Sequence, residues 1–262
     1  MIGMIDSGIG GLSVWKALKS IPDVPKIIYV ADSAYMPYGR RKSRDIRLRV
    51  MKISDALIQR GCSIVVLACN TATVNAIAAL RHRFAGTIFV GVEPAIKTAS
   101  SLSRNGKIGL LATRSTINSS KVHSLIGQFG KNYSFFLQND TGLAESIEKN
   151  EEVRPSVIDK HLSFVQQKGI DTLILGCSHY PLIISQICEN LPKGVQIVSA
   201  ETGITKRLCR ILAERNVSSI YTNEKIGDIF VTTGQNPDYA RTFSRVLKCN
   251  INFDNELDLS LL

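Results

Sequence analysis

The chain has 262 residues, enough for one large domain or two of about 100 to 150 residues each, and its 44% hydrophobic and 21% charged content is that of a soluble globular protein. No apolar run approaches the ~20 residues of a membrane helix, and residues 1–11 lack the basic and apolar regions of a secretory leader, so a cytoplasmic protein is expected. The six cysteines form no CxxC pair and no metal-ligand spacing with the four histidines, which argues against a disulfide framework or a metal site, while a net charge of +10 keeps a nucleic-acid-binding module in view.

Taken from the N-terminus, apolar runs at Ile2–Ile5, Ile27–Ala31, Ile64–Ala68 and Ile88–Val92 alternate with helical patterns at Ser13–Ser20, Asp45–Arg60 and Thr73–Phe84. The alternation continues with strands at Ile108–Ala112, Ser134–Leu137, Leu173–Gly176, Gln196–Ser199 and Ile229–Thr232. Helices are expected at Asn118–Phe129, Pro155–Lys168, Leu182–Leu191 and Ile204–Glu214. Strands that alternate with helices of this length predict βαβ units and an α/β fold with mostly parallel sheets. Around Asp45–Arg60, eight basic residues (Arg40, Arg41, Lys42, Arg44, Arg47, Arg49, Lys52, Arg60) accompany Ile46, Val50, Ile53 and Leu57 at helical spacing. This is an amphipathic helix with a basic outer face, either simply solvated or attractive to an anionic substrate or polyanion.

An internal repeat runs through the pattern. GCSIVVLAC at 61–69 matches GIDTLILGC at 169–177, 108 positions on, and IGMIDS at 2–7 matches IGLLAT at 108–113, 106 positions on. At the same offset of 106, Ile27–Ala31 lies opposite 133–137 and Val90–Pro94 opposite 196–200. Four matches in order predict a duplication: two similar parallel-sheet α/β domains, the first of residues 1–95 plus about 205–262, the second of 96–204, with the active site in the cleft between them.

The duplication pairs Cys69 with Cys177, each at a strand end where open α/β sheets place their chemistry. Two thiols facing one small substrate suit a redox-free racemase, which removes a proton from one face of a carbon and returns one to the other. An ordinary thiol, with a pKa near ~8.5, needs activation at neutral pH. Asp6 at the first strand end and His179 two residues after Cys177 are the candidates, and they break the symmetry because the repeat sets Asp6 against Ala112 and His179 against Thr71. Ser7, Asn70, Thr71, Ser178, Thr113 and Thr116 supply neutral hydrogen-bonding groups. Gly8, Gly10 and Gly11 allow close backbone approach, although the loop lacks the Lys-Ser/Thr ending of a P-loop. Cys62, Cys188, Cys209 and Cys249 are expected as ordinary core or surface residues, and His82, His123 and His161 as surface residues.

DSGIGGLS at 6–13, PYG at 37–39, ACNTAT at 68–73, LATRST at 111–116 and LGCSHYPL at 175–182 together resemble the glutamate racemases of the aspartate/glutamate racemase family. The resemblance implies a cofactor-independent two-base interconversion of L- and D-glutamate that supplies D-glutamate for bacterial peptidoglycan. It also implies a cytoplasmic homodimer with no metal. Carried over by motif, Cys177 takes the proton from L-glutamate and Cys69 from D-glutamate, with Asp6 and His179 assisting. Substrate contacts fall on Asp6, Ser7, Tyr38, Gly39, Asn70, Thr71, Ser178 and His179, with Thr116 a weaker candidate. The sequence departs from the family at Ser178, where threonine is usual, at 197–201, which lacks an expected aspartate, and at 138–146, where Glu145 and Glu148 both compete to match the family glutamate. These departures leave an aspartate or broad-specificity racemase, or a decarboxylase or isomerase on the same scaffold, as enzyme alternatives. No aromatic-rich platform or DNA-reading motif accompanies the basic helix, which counts against nucleic acid.

Overall fold

A computed structural model describes residues 1–149, 152–215, 227–236 and 238–254. Residues 216–226, 237 and 255–262 of the expected return to the first domain lie outside the described residues. All nine expected strands are present: β1 (Ile2–Asp6), β2 (Ile27–Ala31), β3 (Ile64–Leu67), β4 (Ile88–Gly91), β5 (Lys107–Ala112), β6 (Ser134–Asn139), β7 (Thr172–Gly176), β8 (Gln196–Val198) and β9 (Ile229–Thr232). They form two sheets, ordered β4-β3-β1-β2-β9 and β6-β5-β7-β8, in which every pairing is parallel. Read from the β8 edge, the second sheet repeats the order of the first four strands of the first.

Register corrects the repeat. Ile2 pairs with Ile27 and Ile64, and its counterpart Ile108 pairs with Phe135 and Thr172, while Ile88 and Gln196 hold the same place against Ile64 and Thr172. The second and fourth strands are therefore displaced by 108 positions, like the third, and the expected pairing at 106 is two residues out of step. A slip of two returns every side chain to the same face, so the apolar pattern alone does not register it.

Parallel strands need cover on both faces, and alternation sorts them. Ile2, Met4, Ile27, Tyr29, Val66 and Val90 pack under α1 (Leu12–Lys19), α10 (Glu201–Glu214) and α11 (Tyr239–Leu247), while Ile5, Val30, Val65, Leu67 and Phe89 pack under α2 (Ser43–Gln59) and α3 (Asn70–Arg83). On the second sheet, Ile108, Leu110, Ile174 and Val198 meet α4 (Ile96–Leu102), α5 (Arg114–Ile117) and α6 (Ser120–Phe129). Leu111, Leu173 and Leu175 meet α7 (Leu143–Glu148), α8 (Pro155–Lys168) and α9 (Ile184–Glu189). Each such fully buried aliphatic side chain contributes about 1.5–3 kcal/mol.

The basic helix buries Ile46, Val50, Ile53 and Leu57 as its spacing predicts. One of its arginines turns inward: Arg49 forms a salt bridge with the wholly buried Asp32 at 2.7 Å, while Arg47 stays exposed and its Nε donates to the Asn75 carbonyl at 3.3 Å. Among the described residues no helix is long and apolar enough to cross a membrane.

Candidate active site

Strands β1 and β3 of one sheet and β7 of the other end at the same cleft. Helix α3 begins at Asn70, three residues earlier than the periodicity predicts, because Cys69 caps it: its Sγ accepts from the Ala72 N–H at 3.5 Å and lies 3.9 Å from Ser7 Oγ. Cys177 follows β7, with its Sγ 3.6 Å from His179 Nδ1. Both thiols line one cavity of about 30 Å³ together with Ser7, Tyr38, Gly39, Asn70, Thr71, Ser178 and His179. Larger clefts of about 760, 710 and 620 Å³ lie elsewhere, and chemistry, rather than size, singles out the thiol cavity. The 710 Å³ cleft adjoins it through Pro37, Gly39, Thr113 and Ala144, and a salt bridge of 2.9 Å from Arg40 to Glu145 stands at that side.

Of the expected site residues, Asp6 and the weaker candidate Thr116 do not line the cavity; Asp6 is the more informative. It is fully buried behind it, where Oδ1 accepts from the Gly8 N–H at 2.8 Å and Oδ2 from Ser178 Oγ at 2.9 Å, a bond that joins the two halves of the repeat. The glycines of the first loop serve close packing. A Cβ on Gly8 would lie 2.2 Å from the Glu148 carboxylate, and one on Gly10 would lie 2.6 Å from both His179 Nδ1 and Ser178 Oγ.

The structure separates the two glutamates that the sequence left competing. Glu148 is buried, with Oε2 2.7 Å from His179 Nε2 and accepting from the Ile9 N–H at 2.8 Å, and its Oε1 accepts from the Tyr239 hydroxyl. Glu145, on the same short helix, faces Arg40. The readable signal was spacing: Leu143, Ala144 and Ile147 mark the buried stripe of α7, and Glu148, four residues after Ala144, falls on it. Tyr239 carried no such signal, because its role depends on α11 returning to the first sheet.

Burial raises the Cys69 thiol well above its ordinary range, and the Asp6 carboxylate raises it further. Burial also raises Cys177, but the hydrogen bond and charge of His179 pull in the opposite direction. Burial alone would lower the His179 imidazole; Cys177 and Glu148 outweigh it and hold the ring well above its ordinary value, favouring the imidazolium. Burial likewise raises the Asp6 carboxyl. The two thiols therefore differ, one beside a cation and the other beside a carboxylate. Cys62 is a buried core thiol pushed up to about 11 by burial, and Cys188, Cys209 and Cys249 are exposed.

The remaining expected residues fall around this centre. Thr71 Oγ1 meets Thr113 Oγ1 at 2.9 Å and Thr116 Oγ1 at 3.3 Å, across the repeat. Tyr38 is buried, and its hydroxyl donates to Asp32 at 2.7 Å. Asn70 Nδ2 is buried without a hydrogen-bond partner. One histidine differs from expectation: His161 is buried, with Nδ1 2.7 Å from the Val157 carbonyl and Nε2 accepting from the Thr141 N–H at 3.2 Å. Its place four residues from Val157 and next to Leu162 puts it on the buried face of α8, and two backbone partners offset the burial of its ring. Among the described residues, no group of three or more His, Cys, Asp or Glu is arranged to hold a metal ion.

The profile of the Asp/Glu/Hydantoin racemase family matches residues 14–204. A glutamate racemase of Pseudomonas paraeruginosa is 37% identical over 217 residues, 82% of either chain. The crystal structure of Escherichia coli glutamate racemase with L-glutamate and the activator UDP-MurNAc-ala superposes with a TM-score of 0.84 at 31% identity, over 94% of both chains. The Francisella tularensis glutamate racemase in complex with D-glutamate superposes with a TM-score of 0.83 at 27% identity, over 98% of this chain and 97% of that one. A family match over most of the chain, on a fold that brings the two repeated thiols to one cavity, establishes that this chain belongs to the Asp/Glu/Hydantoin racemase family.

Proposed function

We propose that this chain interconverts L- and D-glutamate without a cofactor, using Cys69 and Cys177 as the two acid/base groups. The observation that carries the reading is the cavity itself: two buried cysteines at equivalent strand ends of a duplicated fold line it together, each with a different polar partner. In one direction the Cys177 thiolate takes the α-proton of L-glutamate, the α-carbon becomes planar, and the Cys69 thiol gives its proton to the opposite face. The reverse sequence starts from D-glutamate at Cys69. One proton is taken and one returned, so the reaction balances without an oxidant or reductant.

His179 stabilises the Cys177 thiolate as its imidazolium partner, and Glu148 holds the ring with Nε2–H toward itself and Nδ1 toward sulfur. Asp6 acts from behind, on Cys69 by charge and on Ser178 by hydrogen bond. Asn70 Nδ2, the hydroxyls of Ser7 and Thr71, and the first N–H groups of α3 supply donors for the substrate carboxylates, while Ser178, whose proton goes to Asp6, presents its Oγ as an acceptor. Tyr38 and Gly39 form the wall beside them. A cavity of about 30 Å³ holds roughly two or three waters and is too small for glutamate, so substrate entry requires the site to widen and close again. The reading includes two similar α/β domains, residues 1–95 with about 205–262 and residues 96–204. By its family resemblance it also includes a cytoplasmic homodimer that feeds D-glutamate to peptidoglycan synthesis.

The test is circular dichroism on L-glutamate with the purified chain and no added cofactor. Loss of optical activity with D-glutamate as product is expected, and Cys69→Ala and Cys177→Ala each abolish it. Full racemisation by either variant would remove the two-base mechanism. Aspartate belongs in the same substrate panel, because one methylene is worth only about 1–3 kcal/mol of discrimination.

A further inference from the structure

Tyr239 stands at the start of α11, in the part of the chain that has no counterpart in the repeat. Its hydroxyl donates to Glu148 Oε1 across the cleft, since α11 packs on the first sheet and Glu148 sits on α7 beside the second. The ring is fixed by aromatic neighbours, with Phe243 at 5.2 Å and Phe253 stacked at 5.9 Å between centroids. Burial and the nearby Glu148 charge keep the phenol protonated, so it can only donate to this carboxylate. The other oxygen of Glu148 takes the Ile9 N–H at 2.8 Å and faces His179 Nε2 at 2.7 Å, and His179 Nδ1 faces the Cys177 sulfur at 3.6 Å.

We propose that Tyr239 is a positioning residue for the Cys177 half of the reaction, acting through Glu148 and His179; the inference rests on the two-thiol racemase reading of the site. With its hydroxyl in place, Glu148 Oε1 is satisfied and the carboxylate stays oriented on the imidazole. Without it, Oε1 is a buried acceptor with no partner. The carboxylate then lowers that cost by turning away or by taking the Nε2 proton of His179. Either change removes the imidazolium beside Cys177 and reaches Cys69 only indirectly, through Asp6.

The test is Tyr239→Phe in the full chain, assayed with α-deuterated L- and D-glutamate. The expected result is a fall in kcat of about tenfold or more with KM little changed. The primary isotope effects on kcat/KM move in opposite directions, rising for the enantiomer deprotonated by Cys177 and falling for the other. Phe230→Leu, which disturbs the same aromatic cluster through Trp15, Tyr29 and Phe243, lowers the melting temperature and leaves the ratio of isotope effects alone. If Tyr239→Phe does not fold, 3-fluorotyrosine at position 239 keeps the ring and changes the donor strength, and a shift in the acid limb of kcat/KM is expected. An unmoved acid limb with that residue, or unchanged kcat and isotope effects in Tyr239→Phe, overturns the inference while wild-type racemisation stands. A ratio that shifts equally in Phe230→Leu overturns it too. A wild-type chain that forms no D-glutamate overturns the racemase reading, and this inference falls with it.

Discussion

Gly10→Ala adds a single methyl group where the first loop meets Ser178 and His179. The added Cβ would lie 2.6 Å from His179 Nδ1, 2.6 Å from Ser178 Oγ and 2.9 Å from His179 Cε1, about 1 Å short of ordinary contact at roughly 3.5 Å. Neither neighbour can swing away freely, because His179 Nε2 is held by Glu148 at 2.7 Å and Ser178 Oγ by Asp6 at 2.9 Å. The strain must go into breaking one of those bonds or into holding the two halves apart. Overpacking of this kind costs about 1–3 kcal/mol of stability, and a displacement of about 1 Å at a reacting group costs on the order of 100-fold in rate.

Urea denaturation and racemisation kinetics on the same preparation measure both effects. The expected outcome is a lower denaturation midpoint with kcat/KM down by about two orders of magnitude. Gly127→Ala is the control. It lies exposed in α6 with nothing within 4 Å of an added Cβ, so it should be neutral or stabilising by up to about 1 kcal/mol and leave activity alone. A Gly10→Ala chain with wild-type kcat/KM and an unmoved midpoint would refute the claim that this glycine exists for close approach.

His179→Asn removes the group that opposes the burial-raised proton affinity of Cys177. The thiol then keeps its proton to higher pH, so kcat/KM falls at neutral pH and its acid limb moves upward in a pH–rate profile. Asp32→Asn weakens an anion that accepts from Tyr38 at 2.7 Å and Thr233 at 2.7 Å and pairs with Arg49 at 2.7 Å. Urea denaturation should show a loss of about 3 kcal/mol, because Arg49 is left poorly compensated, with a rise in KM as Tyr38 loosens. Asp171 accepts from Ser103 Oγ and the Arg104 and Asn105 N–H groups, each at 2.7 Å. Against a burial effect that alone would raise it, these bonds hold its carboxyl below the ordinary value. A lowered folded-state pKa means stability that is present above about pH 4 and lost as pH falls through the folded value. Asp171→Asn should therefore be less stable near neutrality, with a shallower acid loss in thermal melts from pH 6 to 2.

Much of this was legible in the sequence because apolar periodicity reports burial directly. It places all nine described strands, and it identifies the four apolar residues of the buried stripe of α2, missing only the polar Ser54. Spacing alone pairs Cys69 with Cys177, since a duplicated strand end carries its chemistry with it. The two-residue slip in the second and fourth strands went unseen because it preserves which side chains face inward. His161 looked like a surface residue beside polar neighbours, and only the three-dimensional placement of the Thr141 N–H and the Val157 carbonyl supplies its partners. Glu148 was half visible, on the buried stripe of a short helix, whereas its choice over Glu145 needed the position of His179. Tyr239 was invisible because it reaches the site from a segment that the repeat does not contain.

Closure of the cleft gives the two thiols opposite problems. Excluding water raises the proton affinity of both, which makes each thiolate a stronger base for an α-proton and a rarer one in the resting enzyme. At Cys177 the imidazolium of His179 restores the thiolate population, and that cation is itself stabilised by Glu148. At Cys69, burial and the Asp6 carboxylate both push the proton affinity up, so on the proposed two-thiol mechanism Cys69 rests as the proton donor. When D-glutamate binds on that mechanism, the substrate's own ammonium group brings a positive charge to the Cys69 side. The side chains therefore prepare the enzyme for one enantiomer in advance, and the other brings part of its own activation into the closed cavity.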